Sequence, residues 1–183
     1  MATVALLALA ACGRAEVTVL SEGELPRDVY GSPVPTPTPS LELPSRGTVY
    51  FVERGSLVEV QRTLQGVATS EAAALLLALF QDPGDLPGRV HSAIPPDTRL
   101  NSVTISGGTA RVDLSAEFGR GGSGRELQLR VAQVVYTVTE NEQISSVHIL
   151  IEGQARGVPR PGAGVTFGPV ARSDYEEFAP AGD

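Results

Sequence analysis

Residues 119–124 read Gly119-Arg120-Gly121-Gly122-Ser123-Gly124, the G-x-G-x-x-G spacing whose backbone amides can cradle a pyrophosphate at the start of a helix. That chemistry needs a short glycine turn directly after a strand with a parallel partner, and an acid about 20 residues further on. Here the strand expected to end at Leu114 closes a tight hairpin, which makes it antiparallel to its neighbour. Ala116 to Phe118 intervene before the glycines, and Glu152 falls well beyond the required distance. The segment reads as a loop leading into a capped helix, with no cofactor expected. The nucleophile elbow G-x-S-x-G fails at the same place, because Gly121-Gly122-Ser123-Gly124 continues to Arg125.

Other catalytic sets have little to build on. A Ser-His-Asp group can be written with His91 or His148 and Asp97 or Asp113. His148 alternates with Val147 and Ile149, and Asp113 with Val112 and Leu114, so both should point away from a core. Glu117 forms no acid/base couple with Asp113 at a known separation. A metal would need several converging ligands, but the chain has two His, one Cys and no tight acidic cluster. No catalytic residue or metal site is expected. Glu140, Glu142 and Asp174-Tyr175-Glu176-Glu177 read as solvated surface. Arg120, Arg125 and Arg130 surround the glycine loop and the following helix start; taken as exposed, they are the candidate partner-binding residues, suited to an acidic protein or an anionic polymer.

Composition narrows the classes further. Fourteen basic residues, all Arg, against 21 acidic ones give a net charge of −7, which excludes a basic nucleic-acid footprint. Aromatic residues make up 5%, with no Trp, so a base- or sugar-stacking platform is not expected. A hydrophobic content of 42% over 183 residues supports one core.

The single cysteine, Cys12, ends an apolar run from Val4 to Ala11. At about 1.5 Å per helical residue this run cannot cross a hydrocarbon core of about 30 Å, but it has the length of a signal-peptide apolar region. Leu9-Ala10-Ala11-Cys12-Gly13 resembles a bacterial lipobox, in which the Cys thiol receives a diacylglyceryl group and becomes the new N-terminus. No Lys or Arg precedes the run, so the start of translation is expected upstream of Met1. Residues 1–12 are thus read as a lipoprotein signal segment. Residues 13–46 are read as a linker, centred on Ser32-Pro33-Val34-Pro35-Thr36-Pro37-Thr38-Pro39-Ser40. Proline at every second position favours an extended spacer of about 20 Å, with an SH3-type ligand as the alternative.

Residues 47–180 should form one α+β domain in the order β-β-α-β-β-α-β, a small, mainly antiparallel sheet with two main helices. Thr48–Glu53 and Leu57–Arg62 pair around Arg54-Gly55-Ser56. Ser70-Glu71 opens a helix to Phe80 whose inward face is expected to be Ala73, Leu76, Leu77 and Phe80, and Asp82-Pro83-Gly84 ends it. Val103 and Ile105 alternate on one arm of a second hairpin, and Ala110, Val112 and Leu114 on the other, across a Gly107-Gly108 turn. Ser123-x-x-Glu126 has capping-box spacing and introduces Leu127, Val131, Val134, Val135 and Val138 at helical period. Ser146 to Ile151 is a strand, and Ser173 to Phe178 a short last element anchored by Tyr175 and Phe178.

The stretches Thr48-Val49-Tyr50-Phe51-Val52, Ala93-Ile94-Pro95-Pro96-Asp97-Thr98-Arg99-Leu100, Thr109-Ala110-Arg111-Val112-Asp113-Leu114-Ser115 with Glu117-Phe118, and Ala132-Gln133-Val134-Val135-Tyr136-Thr137-Val138-Thr139 together resemble the GerMN domain. That family includes the sporulation and germination protein GerM and the LpqB-type lipoproteins. The resemblance covers residues from Gly47 to about Phe178. It implies a fold similar to ring-building domains and a non-catalytic module of the cell envelope. Such a module would be extracytoplasmic, held to the membrane by lipid on Cys12, and active through contacts with envelope proteins. GerM carries two such domains and this chain has room for one; the large additional domain of LpqB-type proteins is not expected, so neither relative's partner carries over. The alternatives are a lipoprotein that binds a small molecule or cell-wall ligand in a polar-lined pocket, and a hydrolase using one of the two histidines.

Overall fold

The computed structural model describes residues 46–64, 68–84, 86 and 89–181. The signal segment with Cys12 and nearly all of the proline-rich linker lie outside these residues. Strands β1 (Arg46–Glu53) and β2 (Ser56–Thr63) form an antiparallel hairpin whose two turn residues, Arg54 and Gly55, both have positive φ. This left-handed pair matches the twist of the flanking strands. β3 (Leu100–Ser106) and β4 (Thr109–Leu114) repeat the device around Gly107 and Gly108, again both at positive φ, with a bulge between Leu100 and Ser102.

Helix α1 (Glu71–Leu79) is capped by Ser70, whose hydroxyl accepts from the Ala73 amide. It is buried nearly all round, but the expected inward face needs correction. Leu77 is the one exposed large apolar side chain on the helix, while Ala72, Leu75 and Leu79 are in the core. The helix is short and almost wholly apolar, so its sequence carries no amphipathic direction; its neighbours choose the face. Gly47 of β1 is one such neighbour, since a Cβ there would sit 2.5 Å from Leu75.

Helix α2 (Gly124–Val138) starts with the expected capping box between Ser123 and Glu126. It then runs from Leu129 to Val138 without one exposed residue. β-Branched residues favour strands on intrinsic preference; here burial on every side decides for the helix. β5 (Ser146–Ile151) follows, then β6 (Gln154–Ala155), β7 (Val158–Arg160), β8 (Gly164–Thr166) and a 3-10 segment, Arg172–Phe178, in which Tyr175 and Phe178 are fully buried as anticipated.

The order of the first seven elements is the expected one, and the pairing is mostly antiparallel, in three small sheets: β1-β2, β3-β4-β5-β6 and β7-β8. One expectation is corrected. β4 is antiparallel to β3 but parallel to β5 on its other side. The crossover through α2 returns the chain in the same direction, so the glycine loop does follow a strand with a parallel partner. The strands past Gly153 were not expected; two or three residues are too few to show alternation.

Complete burial leaves α2 with three polar side chains in the interior, Arg130, Gln133 and Thr137. Gln133 and Thr137 meet the edge of β1 that β2 does not cover, while Arg130 turns to carbonyls outside β1. The Tyr50 amide donates to Thr137 Oγ1 at 3.0 Å, and Gln133 Nε2 donates to the Tyr50 carbonyl at 2.9 Å. Gln133 Oε1 accepts from the Ala93 amide at 2.7 Å, and the main chains of Val52 and His91 exchange two hydrogen bonds. A helix thus supplies part of what a third strand would. Gln133→Leu keeps the volume but orphans a buried carbonyl and a buried amide. It is expected to lower stability by about 3 kcal/mol in urea unfolding with an unchanged m-value, and Thr137→Val by about half as much.

Candidate functional site

The glycine loop lies between a short 3-10 turn at Ala116–Gly119 and the N-terminus of α2. Gly121 and Gly122 take positive φ and shape the loop around Arg130. Arg130 corrects the sequence expectation. It is 2% exposed and donates to three main-chain carbonyls: Nε to Ala93 at 2.9 Å, and Nη1 to Phe118 at 2.5 Å and Arg120 at 3.1 Å. Burial lowers its pKa from the usual guanidinium value, opposed by nearby Glu126. Residue type alone suggested a surface cation. Its position on the same helical stripe as Gln133 and Thr137 was the available signal for an internal role.

Arg120 and Arg125 are exposed, at 73% and 60% of their side chains. Arg120 pairs with Glu117 at 3.3 Å. Hydrogen bonds from Ser115 and from its own backbone amide, with Arg120 and Arg99 nearby, hold the Glu117 carboxyl below the usual range. Arg125 covers the Phe178 ring at 4.8 Å and reaches Glu177 and the Gly55 carbonyl, each at 3.4 Å. The three arginines therefore do not converge: one braces the loop from inside, one salts its rim and one clasps the hairpin turn to the C-terminal segment.

The two histidines are far apart in role. His91 is exposed, with Nδ1 3.2 Å from the Arg89 carbonyl. His148 sits across the register from Arg111, with Nδ1 3.3 Å from its guanidinium and Nε2 3.0 Å from the Phe167 carbonyl. Neither meets a hydroxyl or a carboxylate among the described residues. Asp113 caps the Gly153 amide at 2.8 Å, and Asp97 is exposed. Among the described residues no three His, Cys, Asp or Glu side chains gather as metal ligands.

A polar cluster that the sequence reading placed on the surface is in fact half-buried. Glu140 accepts from the Tyr50 hydroxyl at 2.6 Å and forms an ion pair with Arg172. Arg172 lies over the rings of Tyr50 and Tyr136, at 5.4 and 4.9 Å, and donates to Thr139 Oγ1 and the Tyr136 carbonyl. Asp174 likewise accepts from the Ala171 amide at 2.8 Å and pairs with Arg160. The Arg172 contacts fasten the C-terminal segment to the end of α2, and the Asp174 pair ties it to β7. Long sequence separation hid them, since residue 172 shows no local pattern linking it to residues 50 and 140.

The arrangement defines a class: a small α+β domain whose inward polar groups are committed to holding its own main chain. The chain matches the Germane family, described as sporulation and spore germination, over residues 48–157, and it belongs to that family. It is similar to the tandem GerMN domains of the sporulation protein GerM from Bacillus subtilis, with 26% identity and a TM-score of 0.56 over 70% of this chain and 46% of that one. The first GerMN domain of the same protein gives 25% identity and a TM-score of 0.55 over 70% and 98%. A candidate lipoprotein from Clostridium perfringens shares the fold at 22% identity and a TM-score of 0.51, over 74% and 92%. The matched region spans about half of the tandem-domain structure. No curated protein is significantly similar.

Two outcomes follow from this geometry. Arg130→Met should cost about 2–4 kcal/mol in chemical denaturation, because three carbonyls lose their donor, whereas Arg120→Ala and Arg125→Ala should each cost under about 1 kcal/mol. Burial, followed by the hydrogen bond to Glu140, raises the Tyr50 pKa. A phenol whose folded pKa exceeds its unfolded value stabilises fully below about pH 10 and loses that contribution as the pH rises above it. Thermal melts across the alkaline range should show this loss, and Tyr50→Phe should make it shallower.

Proposed function

We propose that this chain is a non-catalytic, lipid-anchored GerMN-domain protein on the outer side of the cytoplasmic membrane. It acts through contacts with other envelope proteins, in a process related to sporulation or germination. The observation that carries the reading is the order of three features: Leu9-Ala10-Ala11-Cys12, the proline-rich stretch after it, and a Germane domain over residues 48–157. A diacylglyceryl thioether together with an N-acyl chain exceeds the two-signal threshold for stable membrane attachment. Among the described residues no helix is long and apolar enough to cross a membrane, so lipid on Cys12 is the attachment this reading requires.

A protein-contact role also fits how the interior polar groups are used. Gln133, Arg130 and Thr137 satisfy main-chain atoms, His148 places both ring nitrogens on Arg111 and the Phe167 carbonyl, and His91 places Nδ1 on the Arg89 carbonyl. Arg120 and Arg125 remain on the surface as candidate contact residues for an acidic partner.

Mass spectrometry of the mature N-terminus tests the anchor. The expected product begins at Cys12 and carries diacylglyceryl and acyl groups, and Cys12→Ala moves the protein out of the membrane fraction. A product that retains Met1 and an unmodified Cys12 overturns the anchor. Crosslinking in intact envelopes tests the contacts, and a chain that crosslinks to no envelope protein overturns that part.

A further inference from the structure

Beside the glycine loop, the packing leaves a slot of about 130 Å³ between the Ala116–Gly119 turn, the first half of α2 and the ends of β5 and β7. Phe118, Leu127, Val131 and Ile149 line its interior, and Gly119 and Arg156 stand among its walls. An apolar cavity of about 150 Å³ accommodates a benzene-sized guest. This slot therefore suits one branched aliphatic side chain and is too small for a nucleotide or a long acyl chain. Its walls are held from behind, because Arg130 ties the Phe118 and Arg120 carbonyls to α2.

Two features of the slot are unexplained by the fold. Gly119 has no positive φ, and a Cβ placed on it would meet nothing within 4 Å. Neither backbone conformation nor crowding requires glycine there; its effect is to leave main chain open to close approach. Arg156 is exposed, and its guanidinium has no hydrogen-bond or ion-pair partner among the described residues; the same is true of Arg46, Arg54 and Arg89, but Arg156 is the one that stands at the slot. An apolar hole next to an uncommitted cation fits an occupant that presents an aliphatic group and a negative charge side by side.

We propose that the slot is the anchor for a peptide segment of a partner protein. A Leu, Ile or Val side chain enters it, and an adjacent carboxylate of the same peptide pairs with Arg156. The proposal rests on the reading of the chain as a protein-contact module, and it names the chemistry of that contact. The charge gives selectivity, while the buried side chain supplies most of the affinity.

The test is a titration of the full-length ¹⁵N-labelled chain with acetyl-Leu-Asp-amide, followed by NMR. Saturable shifts of the Gly119, Gly157 and Val158 amides are expected, with a Kd in about the millimolar range for so small a probe. Acetyl-Leu-Asn-amide should bind several-fold more weakly and acetyl-Ser-Asp-amide should leave these amides unmoved. Gly119→Leu should abolish the shifts while leaving the melting temperature unchanged, and Arg156→Gln, an exposed change that cannot disturb the core, should reduce acetyl-Leu-Asp-amide to the level of the Asn probe. The proposal is overturned by an absence of saturable shifts, by equal shifts in Gly119→Leu, or by tighter binding of free 4-methylpentanoate, which would mark a small-acid site. If the dipeptide does not bind while Gly119→Leu still crosslinks to the same envelope proteins as the wild type, the slot is refuted and the contact reading stands. If neither chain crosslinks to any protein, the contact reading itself falls.

Discussion

The structure is organised around a main-chain edge that needs partners and a buried helix that supplies them. β1 pairs with β2 on one side only, and the polar atoms of Tyr50 on the other side would be orphaned next to an apolar helix. Gln133 and Thr137 remove that penalty. Gln133 is the central member, because its one amide group binds Tyr50 and Ala93 together and so fixes where the 91–93 segment runs. Arg130, one turn earlier, holds the other face of that segment through the Ala93 carbonyl and continues to the glycine loop. One stripe of α2 therefore positions the first hairpin, the segment ahead of β3 and the approach to its own N-terminus. A buried polar network of this kind stabilises only when every member is satisfied.

That use of the stripe decides which surfaces are free. The glycine loop looks like a phosphate cradle in sequence, and its β4-loop-α2-β5 setting is a parallel crossover. Yet Arg130 approaches it from inside and is spent on carbonyls. What remains outward is the loop main chain, the side chains of Arg120 and Arg125, and the apolar slot beside Gly119. The second fastening, where Arg172 lies against the rings of both Tyr50 and Tyr136 and pairs with Glu140, closes the C-terminal segment onto the same helix. Surfaces at the two ends of α2 are thus built by different parts of the chain on one support.

Much of the architecture was legible. The Gly107-Gly108 turn demands left-handed backbone, and the Ser123–Glu126 capping box sets a helix start from local hydrogen bonding. The first turn reads from the sequence as Arg54-Gly55-Ser56, although Ser56 already pairs with Glu53. Tyr175 and Phe178 stood out as apolar residues in a polar tail and are indeed fully buried. The ends of α1 were equally readable, but its facing was not, because an almost uniformly apolar helix has no preferred side. Of the three arginines read as one surface, the structure separates Arg130 from the others; an arginine is charged wherever it sits, and only its neighbours determine whether water or carbonyls accept its hydrogen bonds.

By itself the sequence determined the elements from β1 to β5 and their order, the Gly107-Gly108 turn, the cap of α2 and the family, since each depends on residues close together in the chain or on a string of short motifs. Tertiary structure alone decided that β5 joins β4 in parallel, that Gln133 and Thr137 act as a surrogate strand edge, and that Glu140 and Arg172 meet. Those outcomes join residues 32 to 90 positions apart. Their energies come from desolvated groups finding partners across the fold, and no local pattern records which partner each will find.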